Sequence, residues 1–318
     1  MLAEVQGQPE GVHFLRRVAE RHYTSPMLLV GDSGIGKKFA VSQLVKEMFC
    51  EGTHTTVCEC IQCLHLDAGS HPDFTYVTSP PDKEIKVEEI RSIIEASNEF
   101  PSMAPLKLFL VDGADNMTTA AANAFLKILE EPPRIARYFL LAEREFRVIP
   151  TIRSRCGFVK FQQLPESFIL QKVLELESDR NKALVYARMG EGSVGRAIQF
   201  LGSGKIGLRD KMLSLITAGV RKDLPSIFSV AASVEKELPL GLRFLDHLVH
   251  DLLIVRHDPS RMINLDSLEI IQSTREKMRD DTWSRLSNGL RALTARYESH
   301  NINLLFHVQT LFVEAFGV

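Results

Sequence analysis

Met27-Leu28-Leu29-Val30-Gly31-Asp32-Ser33-Gly34-Ile35-Gly36-Lys37-Lys38 decides the fold. A short apolar run meets a glycine-rich loop, and Gly31 to Lys37 fits G-x-x-x-x-G-K. In such a loop the glycines let backbone N–H groups turn inward around phosphate oxygens, and the lysine reaches the β- and γ-phosphates. From Phe39 to Met48 the periodicity is helical, with Val41, Leu44, Val45 and Met48 on one face. That helix adds the positive end of its dipole to the loop. Strand, loop and helix in this order are the context the pattern requires. The alternative for the loop taken alone is a glycine turn without a ligand.

Working outward, Leu108-Phe109-Leu110-Val111 and Tyr138-Phe139-Leu140-Leu141 are further short apolar runs set before loops. Taken singly, each is compatible with a buried helix fragment; their equal length and their placement favour strands. Apolar runs alternating with helical stretches predict βα units and a parallel sheet. After Phe161 the character changes. Leu164-Pro165-Glu166-Ser167 is read as a linker and helix start, and nearly every later segment is amphipathic helix, interrupted at Gly190-Glu191-Gly192-Ser193 and Gly202-Ser203-Gly204. The expected organisation is an α/β P-loop domain over 1–163 with an inserted cysteine loop at about 50–63, a small helical domain over 164–205 and a larger helical domain over 206–318.

The 318 residues carry a formal charge of −2, 45% apolar and 25% charged residues, an ordinary soluble composition. That balance speaks against a protein that coats DNA unaided, although a locally basic face is compatible with it. No apolar run approaches the ~18 residues that span a bilayer. Met1-Leu2-Ala3-Glu4 lacks the basic-then-apolar pattern of a secretory signal, so a cytoplasmic location is expected. Five cysteines are present, four of them at Cys50, Cys58, Cys60 and Cys63. In a reducing compartment such crowding points to metal. Four soft thiolates suit a structural tetrahedral Zn²⁺ with no position left for water. Cys60-Ile61-Gln62-Cys63 is a clean C-x-x-C, whereas Cys58-Glu59-Cys60 is tighter than usual. Free cysteines are the alternative, and His54, His65 and His71 are substitute ligands if Cys58 and Cys60 do not both reach.

Two positions bear on hydrolysis. After the loop lysine, a Ser or Thr would place a hydroxyl on Mg²⁺, and here Lys38 stands there. A protonated lysine cannot ligate the metal and its charge competes with it. Asp112 ends an apolar strand as a Walker B carboxylate does, or else caps a turn. The next residue, where ATPases of the AAA+ class place the glutamate that polarises water, is Gly113. Two substitutions striking the same chemistry predict a site without hydrolysis of its own; nucleotide binding, ATP or ADP, stays open.

Several segments follow one another in the order of a known family: Gly34-Ile35-Gly36-Lys37, the cysteine cluster, His71-Pro72-Asp73, Ile85-Lys86-Val87 before Glu89-Ile90-Arg91, and Val111 to Met117. They continue with Ala122-Asn123-Ala124-Phe125-Leu126-Lys127-Ile128-Leu129-Glu130-Glu131-Pro132-Pro133 and Ser154-Arg155-Cys156. With these motifs the chain resembles the bacterial clamp-loader subunits of DNA polymerase III, of the AAA+ family. The motifs cover the first half; the second is matched by length, helical character and Gly192-Ser193-Val194-Gly195-Arg196-Ala197. The eroded site is more similar to the delta-prime branch than to the ATP-hydrolysing gamma/tau branch. The resemblance implies an AAA+ module with a helical lid, then a collar joining a five-subunit ring with gamma/tau and delta, which loads the sliding clamp at primed DNA.

It further implies that Arg155 is an arginine finger acting on a neighbour's ATP, that Arg196 is the sensor-2 residue, and that the sensor-1 polar residue is replaced near Ala142. The alternatives are a surface ion pair for Arg155 and a purely structural clasp for Arg196. Cys156 is read as a small buried residue, Phe125, Leu126 and Leu129 as core or subunit contacts, and Lys127 as a possible DNA phosphate contact. Two competing functions are an ATP-hydrolysing gamma-type motor and a zinc-bearing nucleic-acid-binding module with a vestigial loop.

Overall fold

The structure is a computed structural model describing residues 1–20, 23–54, 58–78, 83–202, 205–299 and 302–318. It divides into two compact units, one of Met1–Phe168 with Gly192–Gly195, the other of Ile169–Glu191 with Arg196–Val318. The sequence boundary near Gly204 lies outside the described residues.

Helix α1 (Pro9–Glu20) precedes β1 (Met27–Val30), and α2 (Lys37–Phe49) starts at the loop lysine. Then come α3 (Ile61–Asp67), β2 (Phe74–Thr78), α4 (Val87–Ser97), β3 (Lys107–Asp112), α5 (Thr119–Glu130), β4 (Ala136–Ala142), α6 (Pro150–Arg153) and β5 (Gly157–Lys160). The strands form one parallel sheet in the order β2-β3-β4-β1-β5. Both faces of a parallel sheet are covered, so its inner strands are apolar throughout. Every residue of β1 and β4 is buried accordingly.

Successive side chains point to opposite faces, and this splits the core. Met27 and Leu29 pack with Leu15 of α1 and with Val41, Leu44 and Val45 of α2. Leu28 and Val30 pack on the other side, with Ile90 and Ile93 of α4 and Phe125 and Leu129 of α5. Helix α5 is capped by Thr118, whose hydroxyl accepts from the Ala121 N–H at 3.2 Å, and Pro132 and Pro133 follow its end. Phe125 and Leu129 are core residues, while Asn123 and Lys127 face solvent. Two edge strands, β2 and β5, were not legible as runs, because their outer residues alternate with polar ones.

The second unit is helical: α7 (Glu166–Leu174), α8 (Arg180–Met189), α9 (Val194–Leu201), α10 (Ile206–Arg221), α11 (Leu224–Ser233), α12 (Leu238–Ile254), α13 (Leu268–Glu276), α14 (Asp280–Ser299) and α15 (Leu304–Phe316). The starts of α7 and α9 belong with the first unit. Trp283 is fully buried and meets Phe316 edge-on at 5.8 Å; Phe200 packs on Phe244 at 5.3 Å. Asp251, fully buried, accepts from the backbone N–H groups of Ile263 and Asn264, each at 2.7 Å, and so fixes the turn before α13. No helix among the described residues is long and apolar enough to cross a membrane.

Candidate functional site

The glycine loop leaves the C-terminal end of β1, and Gly34 (φ +72) and Gly36 (φ +101) take the left-handed backbone that the inward turn requires. Lys37 is only 6% exposed; its ammonium donates to the Gly31 carbonyl and, at 2.8 Å, to that of Asp32. Burial pulls its pKa down, against the carboxylates of Glu143, Asp112, Asp115 and Asp32. The loop borders a cleft of about 440 Å³ that also receives Lys38, Asp112 and Glu143. Its carbonyl side is occupied. Ser193 Oγ donates to Ser33 O at 2.8 Å, the Gly195 N–H donates to Gly34 O at 2.9 Å, and Gln163 Nε2 reaches Asp32 Oδ2 at 3.0 Å.

Lys38 points its ammonium at the Tyr76 ring, 3.8 Å from the centroid, a cation–π contact. The Tyr76 hydroxyl donates to Asp112 Oδ2 at 3.0 Å. Asp112 therefore sits at the cleft, as its place at the strand end predicts, with one oxygen engaged by a neighbouring strand. Gly113 follows with φ +106, a conformation that strains any side chain. At the end of β4, Ala142 is buried and accepts the Gly31 N–H at 3.1 Å, offering the cleft no polar side chain. Asp115 is spent on backbone, accepting from the N–H groups of Glu143 and Arg144.

Arg155 lies between α6 and β5, at the other end of the strands. Gly157 pairs with Met27, whereas the glycine loop begins four residues further along β1. At about 3.3 Å per residue, this leaves about 13 Å of strand between the two ends. Arg155 does not line the cleft of its own chain. Its guanidinium donates to Thr151 O at 3.1 Å and to Glu130 Oε1 at 3.3 Å, while its Nε is buried without a partner among the described residues. Cys156 is half-buried, and burial pushes its thiol up to about 12, unlike a nucleophile.

The sulfurs of Cys50, Cys58, Cys60 and Cys63 all lie within 4.8 Å of one another, with Cys50 and Cys58 at 3.5 Å. Four thiolates around a tetrahedral Zn²⁺ at about 2.3 Å stand about 3.8 Å apart, so the donor set fits that ion. Gly52 leaves the room: a Cβ there would meet Cys58 Sγ at 2.5 Å. The hydrogen bond from the Cys60 backbone N–H holds the Cys58 thiol down to about 6. Burial and the neighbouring sulfurs push Cys63 up, a conflict that a divalent cation relieves.

The histidines held in reserve are not needed. His65 Nδ1 meets Ser70 Oγ at 3.2 Å. His71 belongs to a buried chain beneath the cluster: its Nδ1 accepts the Asp73 N–H at 3.1 Å, so Nε2 carries the proton and donates to Gln62 Oε1 at 2.7 Å. Gln62 then donates to Glu51 Oε1 and Met103 O, both at 2.9 Å. Asp73, 1% exposed, accepts from the backbone N–H groups of Ser102, Met103 and Ala104. His71-Pro72-Asp73 is thus an anchor for two loops. Within the second unit, Arg196 pairs with Glu191 Oε2 at 2.9 Å, and the other oxygen of Glu191 meets His247 Nε2 at 3.0 Å. Tyr76, Glu143 and the Ser193–Gly195 clamp are the site residues that sequence reading missed. Of these only the Gly-Ser-Val-Gly segment carried a signal.

A parallel sheet with the phosphate loop on β1, an acidic end on β3 and β4 between them defines a P-loop module of the AAA+ kind, here with its hydrolytic positions substituted. The chain belongs to the family described as DNA polymerase III, delta subunit, whose model matches residues 7–165. It is 28% identical over 247 residues to the DNA polymerase III subunit delta′ of Escherichia coli K12, covering 76% of this chain and 73% of that one. It is 31% identical over 194 residues to the subunit delta′ of Bacillus subtilis 168, covering 60% of this chain and 58% of that one. A gamma subunit from Buchnera aphidicola of Acyrthosiphon pisum is 29% identical over 253 residues, 70% of each chain. Within the clamp-loader family the chain is most like delta′.

Proposed function

We propose that this chain is a delta-prime-like subunit of the DNA polymerase III clamp loader that does not hydrolyse ATP itself and lends Arg155 to the ATP of a neighbouring subunit. The observation that carries this reading is the separation of Arg155 from its own phosphate loop by the length of β1. A guanidinium that does not line its own chain's cleft has no use for its own nucleotide, which supports a role on one bound next door. There it would stabilise the charge that develops on the γ-phosphoryl group. The chain's own cleft lacks a hydroxyl at Lys38, a water-polarising side chain at Gly113 and a polar side chain at Ala142. These three substitutions weigh against the gamma-type motor, and the charge of −2 weighs against an autonomous DNA-binding module.

In this reading the partners are gamma/tau and delta in a five-subunit ring, with the sliding clamp and primed DNA reached through the assembly in the cytoplasm. Residues 164–205 serve as the lid and 206–318 as the collar. Cys50, Cys58, Cys60 and Cys63 hold a structural Zn²⁺ that organises the loop before α3. Arg196, already paired with Glu191, clasps helices instead of sensing nucleotide.

The test is a clamp loader reconstituted with Arg155→Ala. We expect assembly to be unchanged and turnover at the adjoining site to fall by about 10³-fold, the lower range for losing such a finger. Arg155→Lys should recover little, because an ammonium lacks the planar fork. Unchanged DNA-stimulated ATPase in an intact mutant complex would falsify the assignment.

A further inference from the structure

Lys38 stands where a phosphate loop ordinarily supplies the hydroxyl for Mg²⁺. The metal does not fit the residues present. An ammonium replaces the hydroxyl, it rests 3.8 Å from the Tyr76 ring centroid, and the same tyrosine donates to Asp112 Oδ2. A divalent ion that demands near-octahedral oxygen ligands would have to displace the hydroxyl and face the fixed charge of Lys38 in the same cleft.

The phosphate cradle, in contrast, is intact. Gly34 and Gly36 have the required backbone, and among the described residues the N–H groups of Ser33, Gly34 and Gly36 donate to nothing in the chain. The clamp from Ser193 and Gly195 uses only carbonyl oxygens, so the amide side stays open. Two lysines, Lys37 and Lys38, border this cleft of about 440 Å³, a size that suits a small ligand.

We propose that the cleft binds a nucleoside di- or triphosphate without a metal ion, Lys38 serving as a built-in cation in place of Mg²⁺. Tyr76 parks the ammonium when the cleft is empty, and the polyphosphate draws it off the ring. The proposal deepens the nucleotide side of the function proposed above and does not depend on the role of Arg155.

Calorimetric titration of the purified full-length chain with ATP and with ADP, in EDTA and again in MgCl₂, tests it. The expected result is binding in EDTA within about twofold of that in Mg²⁺. Lys38→Ser should lose about tenfold in EDTA and recover on adding Mg²⁺, with an unchanged melting curve as the folding control. Absence of binding in both buffers overturns the proposal. So does a wild-type chain that binds about tenfold or more tightly with Mg²⁺ than without it. Either failure leaves the finger reading intact, because that one is measured on a neighbour's ATPase.

Discussion

Gly195→Ala tests whether the phosphate loop is held from behind. Gly195 occupies the first turn of α9, where alanine would ordinarily gain about 0.5–1 kcal/mol from helix propensity. Space decides otherwise. A Cβ at Gly195 would stand 2.8 Å from the Gly34 Cα and 3.1 Å from the Gly34 oxygen, both backbone atoms that no rotamer change can move. Relieving such an overlap costs about 1–3 kcal/mol. The retreat would also stretch the Gly195 N–H to Gly34 O bond of 2.9 Å, a loss of about 1 kcal/mol.

Set against the propensity gain, the net loss is about 1–3 kcal/mol. At about 2–4 °C per kcal/mol for a unit of this size, the melting transition of the first unit should fall by about 2–12 °C. Differential scanning calorimetry of the full chain reads this directly. Gly207→Ala is the control: a Cβ there meets nothing within 4 Å inside α10, so the substitution should be neutral or slightly stabilising. If Gly195→Ala melts at or above the wild-type temperature, the clamp has no energetic weight and the reasoning fails.

Asp73 holds three backbone N–H groups; burial opposes its charge, the three hydrogen bonds outweigh burial, and its pKa lies below the ordinary carboxylate value. A depressed folded pKa contributes stability that is present above the unfolded pKa and is lost as pH falls through the folded one. Asp73→Asn should cost about 2 kcal/mol at neutral pH in urea unfolding, because one carboxylate oxygen becomes an NH2 donor facing the backbone N–H groups it had accepted from. The difference from wild type should shrink in acid; a difference independent of pH would refute the charge argument. For the cysteine cluster, wild-type protein should carry about one zinc per chain by elemental analysis. Cys63→Ser, at a position 2% exposed, should lose most of it. Zinc-free wild-type protein purified without chelator would refute the site.

Much of this was legible in the sequence. Runs buried on both faces, Met27–Val30 and Leu108–Val111, signal strands by their equal length and their placement before loops, and β3 and β4 extend the predicted runs by only a residue or two at each end. Edge strands hide because one side of β2 stays wet, leaving Phe74 to Thr78 without a continuous apolar run. The cysteine spacing pointed to a cluster able to hold a metal ion, and its tight Cys58-Glu59-Cys60 step proved no obstacle to gathering four sulfurs. Illegible were the contacts made across long separations: Tyr76 against Lys38 and Asp112, Ser193 against Ser33. A local signal at Lys38, Asp112 or Ser193 does not name the partner, because the fold alone brings the two together. His71 shows the reverse, a metal-ligand residue type drawn instead into a neutral hydrogen-bond chain by burial, which also lowers its pKa.

The two faces of the glycine loop resolve why it persists in a chain with Lys38 and Gly113 at the positions of the Mg²⁺-binding hydroxyl and the water-polarising glutamate. Its carbonyls bind the segment Ser193–Gly195 and its lysine binds its own turn. Removing Gly34 or Lys37 would therefore disturb packing whether or not a nucleotide is ever bound. The amides of Ser33, Gly34 and Gly36, in contrast, serve no internal partner among the described residues. Carbonyl-side contacts alone would explain the loop as scaffold, yet they leave unexplained why the amides stay open above a cleft flanked by two lysines. A loop serving only as scaffold would be expected to close that side with a carboxylate or a side-chain amide, as Asp73 closes the loop at Ser102–Ala104. The open side is therefore the part of the loop that argues for a ligand, and Lys38 is the residue that sets which one.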